Sequence, residues 1–435
     1  MKKLNLILAT ILLCTATIFA RVDINEANFP CENFRNWLLA QAFGSKGYIT
    51  DAEIADIREI NVSRQNISDL TGIKFFANLE RLWCDENQLT SLDVSGLINL
   101  RELSCDHNQL TSLNVSGLIN LERFHCSFNQ LTSLDVSGLI NLERLGCSFN
   151  QLTSLDVSGL TKLQILSCNN NRLTSLDVSE LTKLRILDFS TNQLTSFVVP
   201  DLTNLEYLGC SNNRLTSLDV SGLTNLQILR CRNNRLTSFN VSGLTTLIEL
   251  DCRNNRLTSL NVSGLTNLQL LDYGENRLTS LDVLELTELR ELHCDNNQFA
   301  SLDVSNLTSL NILRCSHNLL TSLDLTKNDN LNVRRSSINN QTPTLTLTHR
   351  KNTYSVDIEL NNPTNLVDGL SYTERKLGFF SRLFRRSSPA TVSTLTSTSS
   401  TISSSPFTVE TGNPRFTLSG TMHLKYESRN QDVED

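Results

Sequence analysis

Apolar residues recur at fixed places through residues 79–323, and the pattern L-x-x-L-x-C-x-x-N-x-L restarts every 21 residues. One copy runs Leu79, Leu82, Cys84, Asn87, Leu89, Leu92, Val94 and Leu97, and the next begins at Leu100. The asparagine keeps its place twelve times, at Asn87, Asn108, Asn129 and so on to Asn318. A fixed period of this size means that each copy is one turn of a solenoid, stacked on the turns beside it. Within L-x-x-L-x-C alternate residues point the same way, as in a strand, so Leu82 and Cys84 face inward while Arg81, Trp83 and Asp85 face out. Neighbouring copies then form a parallel sheet at about 4.8 Å per strand. The segment L-T-S-L-D-V-S-G-L carries the chain back. It is too short for a full helix, which predicts extended or 3₁₀ turns.

The predicted fold is a leucine-rich repeat solenoid, an α/β-type arc with a parallel β-sheet on its concave face and 3₁₀ or extended turns on its convex face. One irregular repeat (Ile60, Val62, Ile67, Leu70, Ile73, with Gln65 in the asparagine place) and twelve regular ones span 59–325. Residues 21–58 read as a small helical cap. Its stretch from Ala42 to Glu53 has the outline of a calcium loop, with Gly47 at the turn, Ile49 packing inward and Glu53 closing. Ala42, Gly44 and Lys46 stand where oxygen ligands are required, so the loop is expected to keep its shape without metal.

After Leu325 the period ends. Residues 326–386 read as a β-rich C-terminal region, with Thr344–Thr348 and Tyr354–Ile358 as strands. Residues 387–405 are almost all Ser and Thr and read as a flexible loop, and 406–435 as terminal strands with an acidic tail. A basic, apolar run from Lys376 to Arg386 reads as a solvated loop or a surface-lying segment. Residues 1–20, with Lys2 and Lys3 before an apolar run, read as a signal peptide cleaved after Ala20. No other apolar run reaches the ~20 residues needed to span a bilayer.

The cysteines form a second column: Cys84, Cys105, Cys126, Cys147, Cys168, Cys210, Cys231, Cys252, Cys294 and Cys315, with Phe189 and Tyr273 in the two exceptions. Exchange with large aromatics marks a core position. Disulfides between in-register neighbours are disfavoured by their parallel Cβ directions. A linear row of thiols does not converge on a tetrahedral metal. Buried inert thiols are the remaining reading, with Cys31 outside the column, where it could be exposed. The asparagines Asn87, Asn108 and Asn129 and their successors are expected to bond the backbone where each strand turns away. The aspartates of the return segment, such as Asp93 and Asp135, are expected to cap their own turns.

Charge and composition narrow the function classes. The net charge is −7, so nothing draws the chain as a whole toward nucleic acid. The six histidines lack metal spacing, and no nucleophile has a base set beside it by the repeat. His107 and His125 could neighbour each other with Asp106. Neither a cofactor nor a catalytic site is expected, and a monomer is.

The repeats resemble the cysteine-ladder leucine-rich repeats of bacterial surface proteins, including the internalin family, over about residues 57–325, through L-x-x-L-x-C-x-x-N-x-L-T-S-L-D-V-S. The leader also resembles the helical cap that precedes such arrays. The resemblance implies an exported recognition protein or adhesin, secreted or at the cell surface. Its partner would be a protein or glycan, host molecules included, bound through the concave face. The other reading is a host-delivered or intracellular scaffold on a signalling protein. Two departures accompany the resemblance: L-P-x-T-G is not found, and no mucin-binding module is evident after the array.

Outward positions are where the copies differ. The row from Arg81 to Ile312 and the row from Trp83 to Arg314 supply two candidate patches. One is aromatic, with Trp83, His125, Phe128 and Phe149, of which Phe128 and Phe149 could equally stack on each other to cover the ladder. The other holds Tyr207, Ile228, Arg230, Arg232 and Arg253, since aromatics and arginines dominate interface energies. Arg214, Arg235, Arg256 and Arg277 form a further row beside the asparagines, for which Asp251, Asp272 and Glu275 are the candidate counterions and a polyanion or sialylated glycan a candidate ligand.

Overall fold

The computed structural model describes residues 21–199, 201–332, 335–338 and 341, together with the backbone of four strands between 345 and 427. The signal-peptide stretch 1–20, the basic run 376–386 and all of the Ser/Thr stretch except Ser405 lie outside the described residues. Two compact units divide at Leu202 and Thr203.

The first unit opens with the cap. Strand β1 (Arg21–Asp23) pairs antiparallel with β2 (Tyr48–Thr50), and helix α1 (Glu32–Ala40) and helix α2 (Asp51–Asp56) complete it. Phe34 and Leu38, four residues apart on α1, are both buried. The Phe29 ring meets Phe34 edge-on at 5.5 Å and Phe75 at 5.7 Å, which ties the cap to the first repeat. Gly72 (φ +98°) is required there, because a Cβ would lie 2.4 Å from the Phe29 ring.

The calcium-loop outline resolves into an ion pair. Lys46 Nζ lies 2.7 Å from both carboxylate oxygens of Glu53, so the ammonium takes the closing carboxylate. Glu53 also closes a capping box on α2: its carboxylate accepts from the Thr50 amide while the Thr50 hydroxyl accepts from the Glu53 amide. These bonds, that from Lys46 first, hold the Glu53 carboxyl down at about 2. Cys31 is buried rather than exposed, because the start of α1 packs on the first repeat and places its sulfur 3.8 Å from the Ser68 hydroxyl.

Strands β3 (Glu59–Asn61), β4 (Arg81–Trp83), β5 (Glu102–Ser104), β6 (Arg123–His125), β7 (Arg144–Gly146), β8 (Ile165–Ser167) and β9 (Ile186–Asp188) of this unit pair parallel and in register. Their central residues, Leu82 to Leu187, are fully buried. The second unit continues the same pattern in β10 (Tyr207–Gly209), β11 (Ile228–Arg230), β12 (Glu249–Asp251), β13 (Leu270–Asp272), β14 (Glu291–His293) and β15 (Ile312–Arg314). It ends in a five-stranded sheet whose order is β16 (Ser322–Asp324), β17 (Leu345–His349), β18 (Asn352–Leu360), β20 (Thr417–Glu427) and β19 (Ser405–Glu410). The expected pairing of the last strand back across the Ser/Thr stretch occurs as β18 against β20.

Each return segment is made of successive tight turns rather than a helix. Leu97 N bonds to Val94 O at 3.2 Å and Leu100 N to Leu97 O at 3.0 Å, and the spacing recurs in later copies. The return-face aspartates cap their own turns, as Asp93 Oδ1 does for the Ser95 amide at 3.0 Å; Asn114 does the same for Ser116.

The asparagine column is a hydrogen-bonded ladder. Asn129 Nδ2 donates to Cys105 O of the previous turn at 2.9 Å and to Cys126 O of its own turn at 3.2 Å, while its Oδ1 accepts from Leu110 N at 3.0 Å. Each such carbonyl accepts from two successive asparagines, as Cys105 O does from Asn108 and Asn129, and the ladder thereby satisfies buried backbone groups. Gln65, although placed in the column by sequence, is exposed and bonds locally to Ser63 O. At the other end the ladder runs one step further than the repeat does. Gln341 Nε2 donates to Cys315 O and Ile338 O, and its Oε1 accepts from Leu320 N. Ser337 bridges Arg314 in parallel.

The ten column cysteines are fully buried and unbridged. Thiols that find a partner donate to the next strand, as Cys84 Sγ does to Ser104 O at 3.3 Å. Burial pushes the Cys84 thiol well above its usual range and that of Cys147 to about 12.

Candidate interaction surface

In the first unit the strand face presents Trp83 and His125, both half-buried. Trp83 Nε1 donates to Glu102 Oε1 at 2.9 Å, and Glu102 also holds Arg123 at 3.3 Å. The His125 ring lies across the next strand: a Cβ on Gly146 would sit 2.9 Å from its Nδ1. A glycine at that register position is therefore what leaves room for the imidazole.

Phe128 and Phe149 do not join Trp83 and His125. They sit in the turn after the strand, at φ +55° and +54°, and stack on each other with centroids 4.1 Å apart and planes at 11°. His107, in the same position one turn earlier, continues the stack at 4.0 Å and 10°. Phenylalanine is a poor occupant of left-handed backbone, which later copies fill with Asn170, Asn212, Asn233, Asn254 and Asn296. The stack, worth about 0.5–1.5 kcal/mol per ring pair beyond burial, offsets part of that strain. Both phenylalanines keep about two fifths of their surface exposed (41% and 42%), so the ridge remains apolar to solvent. His107 thereby leaves His125, and among the described residues no three His, Cys, Asp or Glu side chains could hold a metal.

In the second unit Tyr207 and Ile228 are register partners, as are Gly209 and Arg230. The Arg230 guanidinium lies over the Tyr207 ring at 5.7 Å and grips Glu249 with two bonds, Nε to Oε1 at 2.6 Å and Nη2 to Oε2 at 3.1 Å. That fork raises the guanidinium above its already high range. Tyr207, Arg230 and Glu249 thus form one chain over three strands, β10 to β12. Arg253 is held by Glu275, and Arg232 lies 3.9 Å from Asp251. The three arginines of the patch are paired, and Glu249 is the member that the sequence reading did not name as part of it. Its signal was an opposite charge on the neighbouring strand, diagonal to Arg230 and in register with Ile228.

A second missed feature follows on β12 to β14. Asp251, Asp272 and His293 occupy one register row, with His293 Nδ1 3.3 Å from Asp272 Oδ2 and His293 Nε2 3.6 Å from Glu291. Burial, and then the Asp272 charge, push the Asp251 carboxyl up to about 6. Ile312, read as an outward residue, is fully buried.

Comparisons with known proteins agree with this geometry. A family model described as leucine-rich repeats (2 copies) matches residues 161–202 and 203–245. Among solved structures, the functional domain of InlJ from Listeria monocytogenes, which includes a cysteine ladder, is 33% identical, with a TM-score of 0.60 over 74% of this chain and 72% of that one. A leucine-rich repeat protein of Leptospira interrogans is 30% identical over 57% of this chain and 69% of its own, at a TM-score of 0.53. The internalin InlF of Listeria monocytogenes shares the fold at 23% identity, with a TM-score of 0.59 over 75% of this chain and 94% of that one. No curated protein matched the chain.

Proposed function

The chain belongs to the internalin-like family of leucine-rich repeat proteins, and from that premise we propose that it is an exported recognition protein that binds a protein partner through the outward residues of its strands. Leucine-rich repeats of this kind are binding scaffolds, in which turns of fixed backbone carry variable side chains. No helix among the described residues is long and apolar enough to cross a membrane.

The observation that carries the reading is the chain of Tyr207, Arg230 and Glu249. An aromatic ring, a guanidinium and a carboxylate are locked together on three neighbouring strands. Tyr and Arg are enriched among residues that dominate binding energy, and a guanidinium already held in place loses less rotamer freedom when a partner docks. Ile228 adds an apolar contact beside the ring. Trp83 and His125 on the first unit, with the ridge of Phe128 and Phe149, make a second contact region of the same type. A glycan partner and an adhesive role belong to the same reading.

Purified protein of residues 21–435 would be used as bait against extracellular proteins and on a glycan array. Retained partners would then be titrated with the Tyr207→Ala/Arg230→Ala and Trp83→Ala/His125→Ala variants. Loss of tenfold or more in affinity, with an unchanged circular dichroism spectrum, is the expected result. Retention of full affinity by both double variants would overturn the strand-face reading. A partner retained only by protein that still carries residues 1–20, in cytosolic extract, would favour the intracellular scaffold instead.

A further inference from the structure

The arginines Arg214, Arg235, Arg256 and Arg277 follow the ladder asparagines on four successive turns of the second unit and are all exposed. They lie outside strands β10 to β13. Neighbouring turns repeat at about 4.8 Å, so four like charges stand in line at close, even intervals. The sequence offers Asp251, Asp272 and Glu275 as counterions. Each is committed elsewhere: Glu275 to Arg253, Asp251 to the Arg253 amide and the Arg232 guanidinium, Asp272 to His293. Among the described residues none of the four guanidiniums has a hydrogen bond or an ion pair.

The row serves no purpose in holding the coil. Arg235 N donates to Leu215 O at 2.8 Å, and Gln109 N makes the same bond to Leu89 O at 2.8 Å in the first unit. There the position is occupied by Gln88, Gln109, Gln130, Gln151 and Gln193, with the single Arg172 among them. The backbone does the structural work with either side chain, so an unbroken run of four guanidiniums is not something the coil requires. On the return segments beside the middle of the row, Asn240 and Asn261 stand where most other copies carry Asp. This removes two negative charges, in a chain whose net charge is −7.

We propose that Arg214, Arg235, Arg256 and Arg277 form a rail that binds a linear acidic polysaccharide, one bearing carboxylate or sulfate groups along its length. An even row of like charges is complementary to a polymer that repeats its own charge, whereas a protein segment offers no such regularity. The residues flanking the rail are exposed hydroxyls, Thr216, Thr237, Thr258 and Thr279 with Ser217, Ser238 and Ser259. They suit sugar hydroxyls and provide none of the apolar anchors that dominate protein interfaces. Nor does the row interleave aromatic rings, on which a single-stranded nucleic acid would stack its bases. The rail shares no residue with the strand-face patch and stands or falls separately from it.

The test uses residues 21–435 and three fluorescent probes of matched length at low ionic strength: hyaluronan (carboxylate only), heparin (carboxylate and sulfate) and oligo-dT, with neutral dextran as the control. Binding to one or both acidic polysaccharides, at least tenfold tighter than to oligo-dT and weakening steeply as salt is raised, is the expected result. The contrast between hyaluronan and heparin distinguishes which acid the rail prefers. The quadruple Arg→Gln variant, which installs the residue that the first unit already carries, is expected to keep the fold and lose tenfold or more in affinity. Quadruple Arg→Lys is expected to retain most of the binding. Equal affinity of the Gln variant, absence of binding to both polysaccharides, or preference for oligo-dT would each overturn the proposal. The Tyr207→Ala/Arg230→Ala variant should bind the polysaccharide as the parent does, so a failed rail and a failed strand face give different results.

Discussion

Lys46 Nζ sits 2.7 Å from each carboxylate oxygen of Glu53, at the point where a calcium loop would have its closing bidentate ligand. On this loop one ammonium occupies the carboxylate that would close on a divalent ion. Millimolar calcium, enough to fill a typical extracellular calcium module, is therefore expected to leave the melting temperature of residues 21–435 unchanged, as is EDTA. A rise on adding calcium would show that the loop still binds the ion. The pair also sets an acid limit. Glu53 is held at about 2 in the folded chain against its usual 4.5, so its contribution is complete above about pH 4.5 and is lost as pH falls toward 2. Lys46→Ala should move that loss to higher pH, while the two Thr50 bonds keep part of the depression.

The asparagine ladder predicts a severe local cost. Asn129→Ala would orphan the buried Leu110 N and take one of two amide donors from each of Cys105 O and Cys126 O, which keep Asn108 and Asn150. A buried orphan group costs about 1–3 kcal/mol and each further lost hydrogen bond about 1 kcal/mol, so a total loss of about 2–5 kcal/mol is expected in urea unfolding. Asn129→Asp should also destabilise, because it keeps the acceptor for Leu110 N but removes both donors and buries a charge. A loss below about 1 kcal/mol for both variants would mean that water replaces the amide.

The cysteines should divide in their reactivity. The ten in the column have no exposed surface, and burial pushes up thiols such as Cys105 and Cys231. At Cys31 burial also raises the thiol, but amides of Phe34, Ser68 and Asp69 and the Ser68 hydroxyl outweigh it, and the net shift is downward. A thiolate-selective reagent is expected to label Cys31 first in native protein of residues 21–435, with the column labelled only on unfolding. Mass spectrometry after limited labelling reads this directly. Early modification of Cys84 or Cys315 would instead indicate fraying at the ends of the column.

What the sequence made legible follows from the strictness of the period. Strand places, the inward Leu and Cys columns and the asparagine bonds each recur at 21 residues, and the backbone requires them. Gln341 escaped because the last step of the ladder spans 23 residues, from Asn318 to Gln341, and uses a different amide. The outward positions were harder. Their neighbours come from adjacent turns, and whether Arg230 is free or held by Glu249 depends on side-chain torsions that no period encodes. Phe128 and Phe149 were grouped with Trp83 by residue type, yet they occupy a left-handed turn whose fellow member is His107. Cys31 is covered by a contact between cap and array that lies 37 residues away in sequence, at Ser68.

The carboxylate row on β12 to β14 leads to a prediction whose sign is opposite to that of Glu53. Asp251 is pushed from the usual 3.8 up to about 6 by burial and by Asp272. The charged groups that bear on it are Glu249 on its own strand, Asp272 on the neighbouring strand, and Arg232, whose guanidinium is 3.9 Å away. The folded chain therefore holds a proton at Asp251 that the unfolded chain releases between about pH 4 and pH 6. Stability falls as pH rises through that window, and the full penalty is present above it. Two units correspond to about 3 kcal/mol at most, and partial relaxation around Asp251 should bring the measured value to about 1–2 kcal/mol. Asp251→Asn keeps an acceptor for the Arg253 amide and removes the charge. It should raise stability toward denaturant at pH 7.5 by that amount and leave it nearly unchanged at pH 4. If Asp251→Asn destabilises at pH 7.5, the Arg232 pair outweighs the desolvation of the carboxylate, and the row is a stabilising ion network instead of a strained one.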